Sequence, residues 1–179
     1  MLITLSMNKN QLVNLEGLEN LTALESLSVA ENHLTSITGI KNCPKLKKLN
    51  LMGNKIDTFD TVPDLPGLQE INLTGCPIAK IEEIGKLITL KSLNSLNLTE
   101  TPLAEEKGDD LKKEVLILLD GLNFKNFNGE EITPEDIADA KETKAERIKA
   151  AEEARKQAEE DAAAAAAEAA GKAAEEGDK

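Results

Sequence analysis

Apolar residues recur in a pattern of fixed length through the first part of the chain. The stretch 46–56 reads L-x-x-L-x-L-x-x-N-x-I, and the same pattern stands before and after it. Units repeated at such a period cannot bury their apolar faces alone, so the copies must stack. The asparagine position recurs at steps of 22, 22, 22 and 25 residues, at Asn10, Asn32, Asn54, Cys76 and Thr101.

Each position of the repeat predicts a structural role. The L-x-L alternation predicts a short strand with its leucines facing inward and the intervening residues facing outward. A buried asparagine can donate and accept hydrogen bonds, so it satisfies loop backbone groups that have no partner in the sheet. Beyond it, apolar residues at every third position suit a convex side of 3₁₀ turns. The fourth repeat has three extra residues, which predict a longer helical turn there.

Residues 1–129 are therefore predicted to form an α/β solenoid with a parallel concave sheet and a convex side of 3₁₀ and helical segments. A helix is expected at 112–119, with Leu111, Val115, Leu118 and Leu119 facing in. The segment 124–129 is expected to cap the last coil, because an open end exposes a layer of leucines.

Residues 130–170 are predicted to form a long charged, alanine-rich helix, and residues 171–179 a flexible tail. Thr133 as N-cap and Pro134 at the first helical position mark the start, and Gly171 is expected to end the helix. The apolar face holds only Ile137, Ile148 and alanines. That face is too thin for a strong coiled coil, and the helix is expected to be too polar to pack on its own domain.

The first repeat begins directly in a strand with no cap before it. Its edge is predicted to be unpaired, and Leu2, Leu5, Met7 and Leu12 are predicted to face outward on one side. Two explanations stay open: an upstream segment is missing, or another protein covers this end.

The charge and the cysteines restrict the classes of partner. The net charge is -12, whereas a nucleic-acid footprint needs clustered Lys and Arg, so no nucleic-acid partner is expected. No stretch approaches the roughly 20 apolar residues of a membrane span. Cys43 and Cys76 fall at core positions and suggest no disulfide framework or metal set. A soluble chain in a reducing, cytoplasmic compartment is expected.

The sequence offers no residue set for catalysis, a metal or a cofactor. His33 is the one histidine and follows a repeat asparagine, in an expected exposed loop with no nucleophile pattern nearby. The adjacent carboxylates Glu82 and Glu83 do not share a face, so they are interpreted as solvated loop charge. No Gly-rich phosphate loop or metal-spaced cluster stands in the chain. A non-enzymatic protein is predicted.

Outward-facing strand residues are predicted to form polar columns about 4.8 Å apart on the concave face. This small polar surface suits a helix or an extended peptide, although it lacks the Trp, Tyr and Arg that anchor tight interfaces. A solvated face with binding done elsewhere is the alternative. The predicted partner-binding residues on the concave face are Ser28, Lys48, Asn50, Met52, Glu70, Asn72 and Asn97. Those at the open N-terminal end are Leu2, Leu5 and Met7.

The 22-residue repeats, the closing P-L, L-L-D-G-L and F-N-G segments and the charged exit helix resemble intracellular leucine-rich-repeat proteins, a class with phosphatase-regulatory and acidic nuclear members. The long Lys/Glu/Ala helix is most similar to axonemal leucine-rich-repeat proteins of the radial-spoke type. The resemblance implies a leucine-rich-repeat solenoid acting as a structural adaptor of a microtubule-based assembly in the cytoskeleton of a cilium or flagellum.

Under this resemblance the partners are other proteins of a large assembly, bound through the concave face, the open N-terminal end and the C-terminal helix. The alternative is a soluble regulator, such as a phosphatase regulatory subunit or an acidic nuclear protein. A chaperone of basic partners needs a long acidic run, whereas the longest here is Glu159-Glu160-Asp161.

Overall fold

The computed structural model describes residues 2–40 and 43–176, with side chains described as far as residue 162. Within these residues, seven strands form one sheet in chain order. Five parallel strands of three residues come first: β1 (Thr4–Ser6), β2 (Ser26–Ser28), β3 (Lys48–Asn50), β4 (Glu70–Asn72) and β5 (Ser95–Asn97). β6 (Asn126–Phe127) pairs with β5 in parallel, and β7 (Glu130–Glu131) pairs with β6 in antiparallel fashion.

The register places the middle residue of each strand beside that of the next strand. This inner row consists of Leu5, Leu27, Leu49, Ile71 and Leu96. Its members in β2 to β5 are 1–2% exposed, whereas Leu5 in β1 is half-buried. The predicted parallel solenoid, one stacked layer per repeat, is therefore confirmed.

The repeat asparagine joins each coil to the coil before it. Asn54 Nδ2 donates to Leu51 O in its own coil at 2.7 Å and to Val29 O in the preceding coil at 3.0 Å. Its Oδ1 accepts from Leu34 N at 3.1 Å. Asn32 makes the equivalent bonds one coil earlier, and both side chains are 3% exposed. The predicted role of the asparagine is confirmed, and it extends across two coils.

The other residues at the asparagine position, Cys76, Thr101 and Asn10, make only some of these hydrogen bonds. Cys76 Sγ donates to Leu51 O of the preceding coil at 3.4 Å. Thr101 Oγ1 accepts from Ala104 N at 3.1 Å, so it caps the helix that follows. Asn10 is exposed, and its Nδ2 donates only within the first coil, to Met7 O and Asn8 O.

The residue before this position has a left-handed backbone in every coil. The φ angles are 57°, 54°, 66°, 68° and 58° at Lys9, Glu31, Gly53, Gly75 and Glu100. This conformation turns the chain so that the next side chain points into the core. Glycine adopts it freely, but each of the other three residues costs about 1 kcal/mol. The sequence patterns above did not predict this feature.

The convex side of the first three coils has the predicted 3₁₀ turns. Its described residues form single turns closed by i→i+3 bonds, such as Leu24 N to Leu21 O at 2.9 Å, and these turns do not extend into a longer 3₁₀ helix. The fourth coil contains α1 (Ile81–Gly85) and a 3₁₀ helix (Lys86–Thr89). The longer helical turn predicted from the three extra residues is therefore confirmed.

Glu83 is a structural residue, and its interpretation as solvated loop charge was wrong. Its Oε2 accepts from Phe59 N in the third coil at 2.7 Å, and both carboxylate oxygens lie 2.8 Å from Lys86 Nζ. The Lys86 ammonium and then the Phe59 N–H lower the pKa of Glu83. Helix α1 leaves Glu82 exposed and turns Glu83 inward, which adjacency in sequence does not reveal.

Two helices and two phenylalanines close the array. α2 (Pro102–Lys107) was not predicted, while α3 (Asp110–Leu118) matches the helix predicted at 112–119. Leu111, Val115 and Leu119 are buried, as predicted, and Leu118 is half-buried. Phe124 and Phe127 are 6% and 4% exposed and belong to the same core as the leucine layers.

The chain divides into two compact units, Met1–Ala140 and Lys141–Lys179. Helix α4 spans Pro134–Glu176, so its first seven residues belong to the first unit. It continues through Gly171, where an end was predicted, because one glycine costs a helix only about 1 kcal/mol and the strong helix formers Ala170 and Lys172 flank it. The predicted tail is therefore helical at 171–176, and its residues 177–179 lie outside the described residues.

Replacing Asn54 with alanine should lower the free energy of unfolding by about 3 kcal/mol. The change leaves buried backbone groups of two coils unpaired, at about 1–3 kcal/mol each before relaxation. Asn10→Ala is the matched control and should change stability by less than about 0.5 kcal/mol, because Asn10 is exposed. Urea denaturation measures both, and equal small losses would contradict the inter-coil role of the asparagine.

Replacing Glu83 with glutamine should destabilise the protein by about 1 kcal/mol at pH 7, because the charge-assisted bonds with Lys86 and Phe59 weaken. The folded-state pKa of Glu83 is lowered, so its contribution is full above the unfolded-state pKa and is lost as pH falls through the folded value. The difference between wild type and Glu83→Gln should therefore shrink as pH falls below about 4.5. Urea titrations at several pH values measure it, with exposed Glu82→Gln as control. A constant difference down to pH 3 would refute the assignment.

Candidate protein-binding surfaces

The parallel register assembles the predicted polar columns on the concave face. The column at the start of the strands contains Thr4, Ser26, Lys48, Glu70 and Ser95, and the column at their end contains Ser6, Ser28, Asn50, Asn72 and Asn97. A shallow concavity of about 410 Å³ lies over β2 to β5. It is lined by six of the seven predicted concave residues, while Met52 is half-buried beyond the end of β3. That these residues bind a partner stays a prediction.

The two charged residues of these columns neutralise each other. Lys48 Nζ lies 2.9 Å from both carboxylate oxygens of Glu70, and the side chains are 60% and 46% exposed. An ion pair this exposed contributes about 0.2–1 kcal/mol, so a partner can open it at little cost. The concave columns therefore present polar groups with no net charge.

In the first three coils the polar groups of the concave face bind one another. Asn50 Nδ2 donates to Ser28 Oγ at 3.2 Å, and Ser28 Oγ donates to Asn8 Oδ1 at 2.8 Å. The same Asn8 oxygen also accepts from Ala30 N at 2.8 Å. These donors are therefore hydrogen-bonded within the repeats and are not free to bind a partner.

Asn72 and Asn97 differ, because their amide NH₂ groups have no hydrogen-bond partner among the described residues. Asn72 Oδ1 accepts from Thr74 N at 3.0 Å, and Asn97 Oδ1 accepts from Thr99 N at 2.9 Å. A backbone N–H can only donate, so these bonds fix the oxygen and leave Nδ2 on the other side. No buried side-chain nitrogen or oxygen of the described residues lacks a partner. The two free NH₂ groups are therefore accessible to solvent.

At the other end of the array, β1 pairs with β2 on one side, and the described residues place no strand on its other side. Leu2 is 44% exposed, whereas Leu5 and Met7 are half-buried against the core. Ile3 and Val13, which were not among the predicted residues, are more exposed at 55% and 63%.

The first turns of α4 pack on α3, so the prediction that this helix is too polar to pack on its own domain was wrong for residues 134–140. Lys112 Nζ lies 3.4 Å from Asp136 Oδ1, and Lys113 Nζ lies 3.0 Å from Asp139 Oδ2. Ala140 is 4% exposed. Ion pairs and one alanine replace the apolar face that the prediction required.

A capping box starts α4, as predicted from Thr133 and Pro134. Thr133 Oγ1 accepts from Asp136 N at 3.2 Å, and Asp136 Oδ2 accepts from Thr133 N at 2.8 Å. Hydrogen bonds from the Thr133 backbone N–H and hydroxyl, with Lys112 beyond them, lower the pKa of Asp136.

In the second unit the helix exposes all of its described side chains from 145 to 162. The predicted pair between Arg155 and Glu159 forms at 3.3 Å, and Gln157 Nε2 donates to Asp161 Oδ1 at 2.9 Å. These local pairs support the helix by about 0.2–0.5 kcal/mol each.

The residues considered for chemistry have structural surroundings. His33 is exposed in a loop, as predicted. Cys43 and Cys76 are free and buried, and burial raises the pKa of both thiols. Across residues 2–40 and 43–176, no group of three or more His, Cys, Asp or Glu side chains is placed to bind a metal ion. No helix in the described part of the chain is both long and apolar enough to cross a membrane.

Comparison with known proteins agrees with this architecture. Residues 22–66 match a family model of leucine-rich repeats in two copies. The chain is similar to a crystal structure of the Drosophila melanogaster SNF/U2A′ complex, with 18% identity, a TM-score of 0.69 and coverage of 82% of this chain and 86% of that chain. It is also similar to internalin C2 from Listeria monocytogenes, with 21% identity, a TM-score of 0.51 and coverage of 73% and 74%. A search of curated proteins finds no significant match.

The solenoid is the leucine-rich-repeat fold, and two of its repeats lie within the segment 22–66 that matches the family model. This fold is typical of non-enzymatic protein-interaction modules. The similarities to solved structures concern the fold alone, and the axonemal type suggested by the exit helix stays a prediction.

Reversing the charges of Lys112 and Lys113 with glutamate should release the first turns of α4 from α3. Two attractive pairs with α4 become repulsive, as does the pair of Lys112 with Glu130, so amide hydrogen exchange at residues 134–140 should accelerate about tenfold, while exchange in β2 to β4 stays unchanged. Lys125→Glu is the control, because Lys125 is an exposed lysine of the same cap that forms no ion pair with the residues that the structure describes. Unchanged exchange at 134–140 in the double variant would contradict the docking role.

Proposed function

We propose that this protein is a non-enzymatic protein-binding scaffold of a ciliary or flagellar axoneme, in a radial spoke or a similar microtubule-associated complex. The concave face carries the scaffold part of the proposal. Its polar side chains come from parallel strands in fixed register, and two of its amide donors are unused. A surface held rigid by a sheet binds a partner with little loss of conformational freedom.

The exit helix provides the second contact. Its described side chains from 145 to 162 are exposed, and residues 130–179 carry 8 Lys and Arg against 16 Asp and Glu. A charged helix with no apolar stripe suits a strut or tether to neighbouring chains rather than a core element. The outer side of the first coil, with Leu2, Leu5 and Met7, is proposed as a third contact.

The axonemal part of the proposal rests on the resemblance of the Lys/Glu/Ala helix to that of axonemal leucine-rich-repeat proteins. The structural similarity to the SNF/U2A′ complex supports the fold and does not identify a partner for this chain. A soluble regulator, such as a phosphatase regulatory subunit or an acidic nuclear protein, is the alternative that the experiment below separates.

Detergent extraction of ciliated cells expressing a tagged chain tests the proposal. The full chain should remain with the extracted axonemes, whereas a variant ending at residue 143 should become soluble. That variant keeps the whole first unit and the docked turns of α4. A second variant, lacking only residues 163–176, keeps the described charged stretch and should be retained.

Release of the full chain by detergent would overturn the axonemal assignment and favour the soluble regulator. Equal retention of the variant ending at residue 143 would show that the exit helix is not the tether. Far-ultraviolet circular dichroism and urea denaturation of each purified variant establish that the first unit stays folded.

A further inference from the structure

We propose that Asn72 and Asn97 act together as a pair of amide donors that bind neutral oxygen acceptors on one face of a partner α-helix. The inference rests on the proposed scaffold function and names the class of partner for its concave face. It assigns the recognition to two adjacent coils of the five.

The two donors are fixed before any partner arrives. Each amide oxygen accepts from the backbone N–H two residues further on and also from a threonine hydroxyl, with Thr74 Oγ1 2.6 Å from Asn72 Oδ1 and Thr99 Oγ1 2.7 Å from Asn97 Oδ1. These bonds hold both side chains in one orientation. A partner therefore gains two hydrogen bonds without the entropy cost of ordering flexible side chains.

The spacing of the donors selects a helix over an extended peptide. Asn72 and Asn97 are register partners on adjacent parallel strands, and such strands lie about 4.8 Å apart. Side chains three or four residues apart on a helix have Cβ atoms about 5–6 Å apart. Residues on one face of an extended peptide are about 6.6 Å apart. A helix running across the strands matches the pair more closely.

The charges around the pair select neutral acceptors. Glu70 precedes Asn72 by two residues on the same strand, and its ammonium partner Lys48 already contacts both of its carboxylate oxygens. A partner carboxylate would approach Glu70 with no unpaired cation in the columns to neutralise it, and like charges brought together oppose binding. Amide and hydroxyl oxygens of Gln, Asn or Ser avoid this repulsion.

Asn50 provides a control within the same column. Its Oδ1 accepts from Met52 N at 3.2 Å, as the other two oxygens accept from their threonines, but its Nδ2 donates to Ser28 Oγ. The same substitution at Asn50 therefore changes the charge of the face without removing a free donor. Asparagine to aspartate keeps the oxygen that accepts from the backbone at all three positions, so the variants should fold.

A phage-displayed library of alanine-based 20-residue helices tests the proposal, with random residues at positions i, i+3, i+4 and i+7. Helices selected on the wild-type chain should carry Gln, Asn or Ser at two positions three or four residues apart. Fluorescence anisotropy should show at least tenfold weaker binding of a selected helix to the variant Asn72→Asp/Asn97→Asp. Binding to Asn50→Asp should weaken less than threefold.

Three results would overturn the pair: no enriched helix, enrichment of helices with charged residues at these positions, or equal binding by wild type and Asn72→Asp/Asn97→Asp. The variant Ser28→Arg distinguishes failure of the donor-pair proposal from failure of the scaffold proposal, because arginine on β2 fills the same concave face. If Ser28→Arg abolishes binding and Asn72→Asp/Asn97→Asp does not, the donor-pair proposal is wrong, while the proposed scaffold role of the concave face is supported. If neither variant weakens binding, both fail for this face.

Discussion

The rest of the structure depends on one constraint: the buried backbone N–H and C=O groups just beyond each strand have no partner in the sheet. A buried group of this kind costs free energy unless it is hydrogen-bonded. Asn32 and Asn54 meet this constraint by bonding backbone groups of their own coil and of the coil before. Each coil is thereby tied to its neighbour by hydrogen bonds as well as by stacked leucines, and the strand register that builds the concave face follows from this connection.

Hydrogen bonds within the protein also determine which polar groups of the concave face remain free to bind a partner. In the first three coils Asn50 donates to Ser28 and Ser28 donates to Asn8, so these donors are already occupied. In the last two coils the bonds from the threonines reach only the oxygens of the strand asparagines, and the donors of Asn72 and Asn97 stay free. The residue on the preceding strand separates the two cases, because the Asn50 donor binds the hydroxyl of Ser28, whereas an asparagine precedes Asn72 and Asn97 in the column.

Periodic features of this fold could be predicted from the sequence, and features that depend on contacts between coils could not. The strand register, the longer turn of the fourth coil and the helix start at Thr133 follow from repeats or local motifs. Glu83 could not be placed, because its partner Phe59 lies 24 residues away and only the fold shows which of two adjacent glutamates faces it. The left-handed position occupied by Glu31 was hidden because glycine marks it in only two of five coils. The polar columns of the concave face could be predicted from the repeat length. The free NH₂ groups of Asn72 and Asn97 could not, because they depend on which hydrogen bonds each side-chain amide makes.

The docking of α4 on α3 explains how a helix with so little apolar surface forms at all. A helix is costly to nucleate and cheap to extend, and pairs such as Arg155 with Glu159 add only about 0.2–0.5 kcal/mol each. The capping box at Thr133 and the ion pairs of Lys112 and Lys113 fix the first turns on a folded surface, so the nucleus forms together with the array. Propensity then suffices beyond residue 140, because alanine, glutamate and lysine are strong helix formers. The lysines of α3 are thus part of the cap and also the reason that the charged helix has a defined beginning.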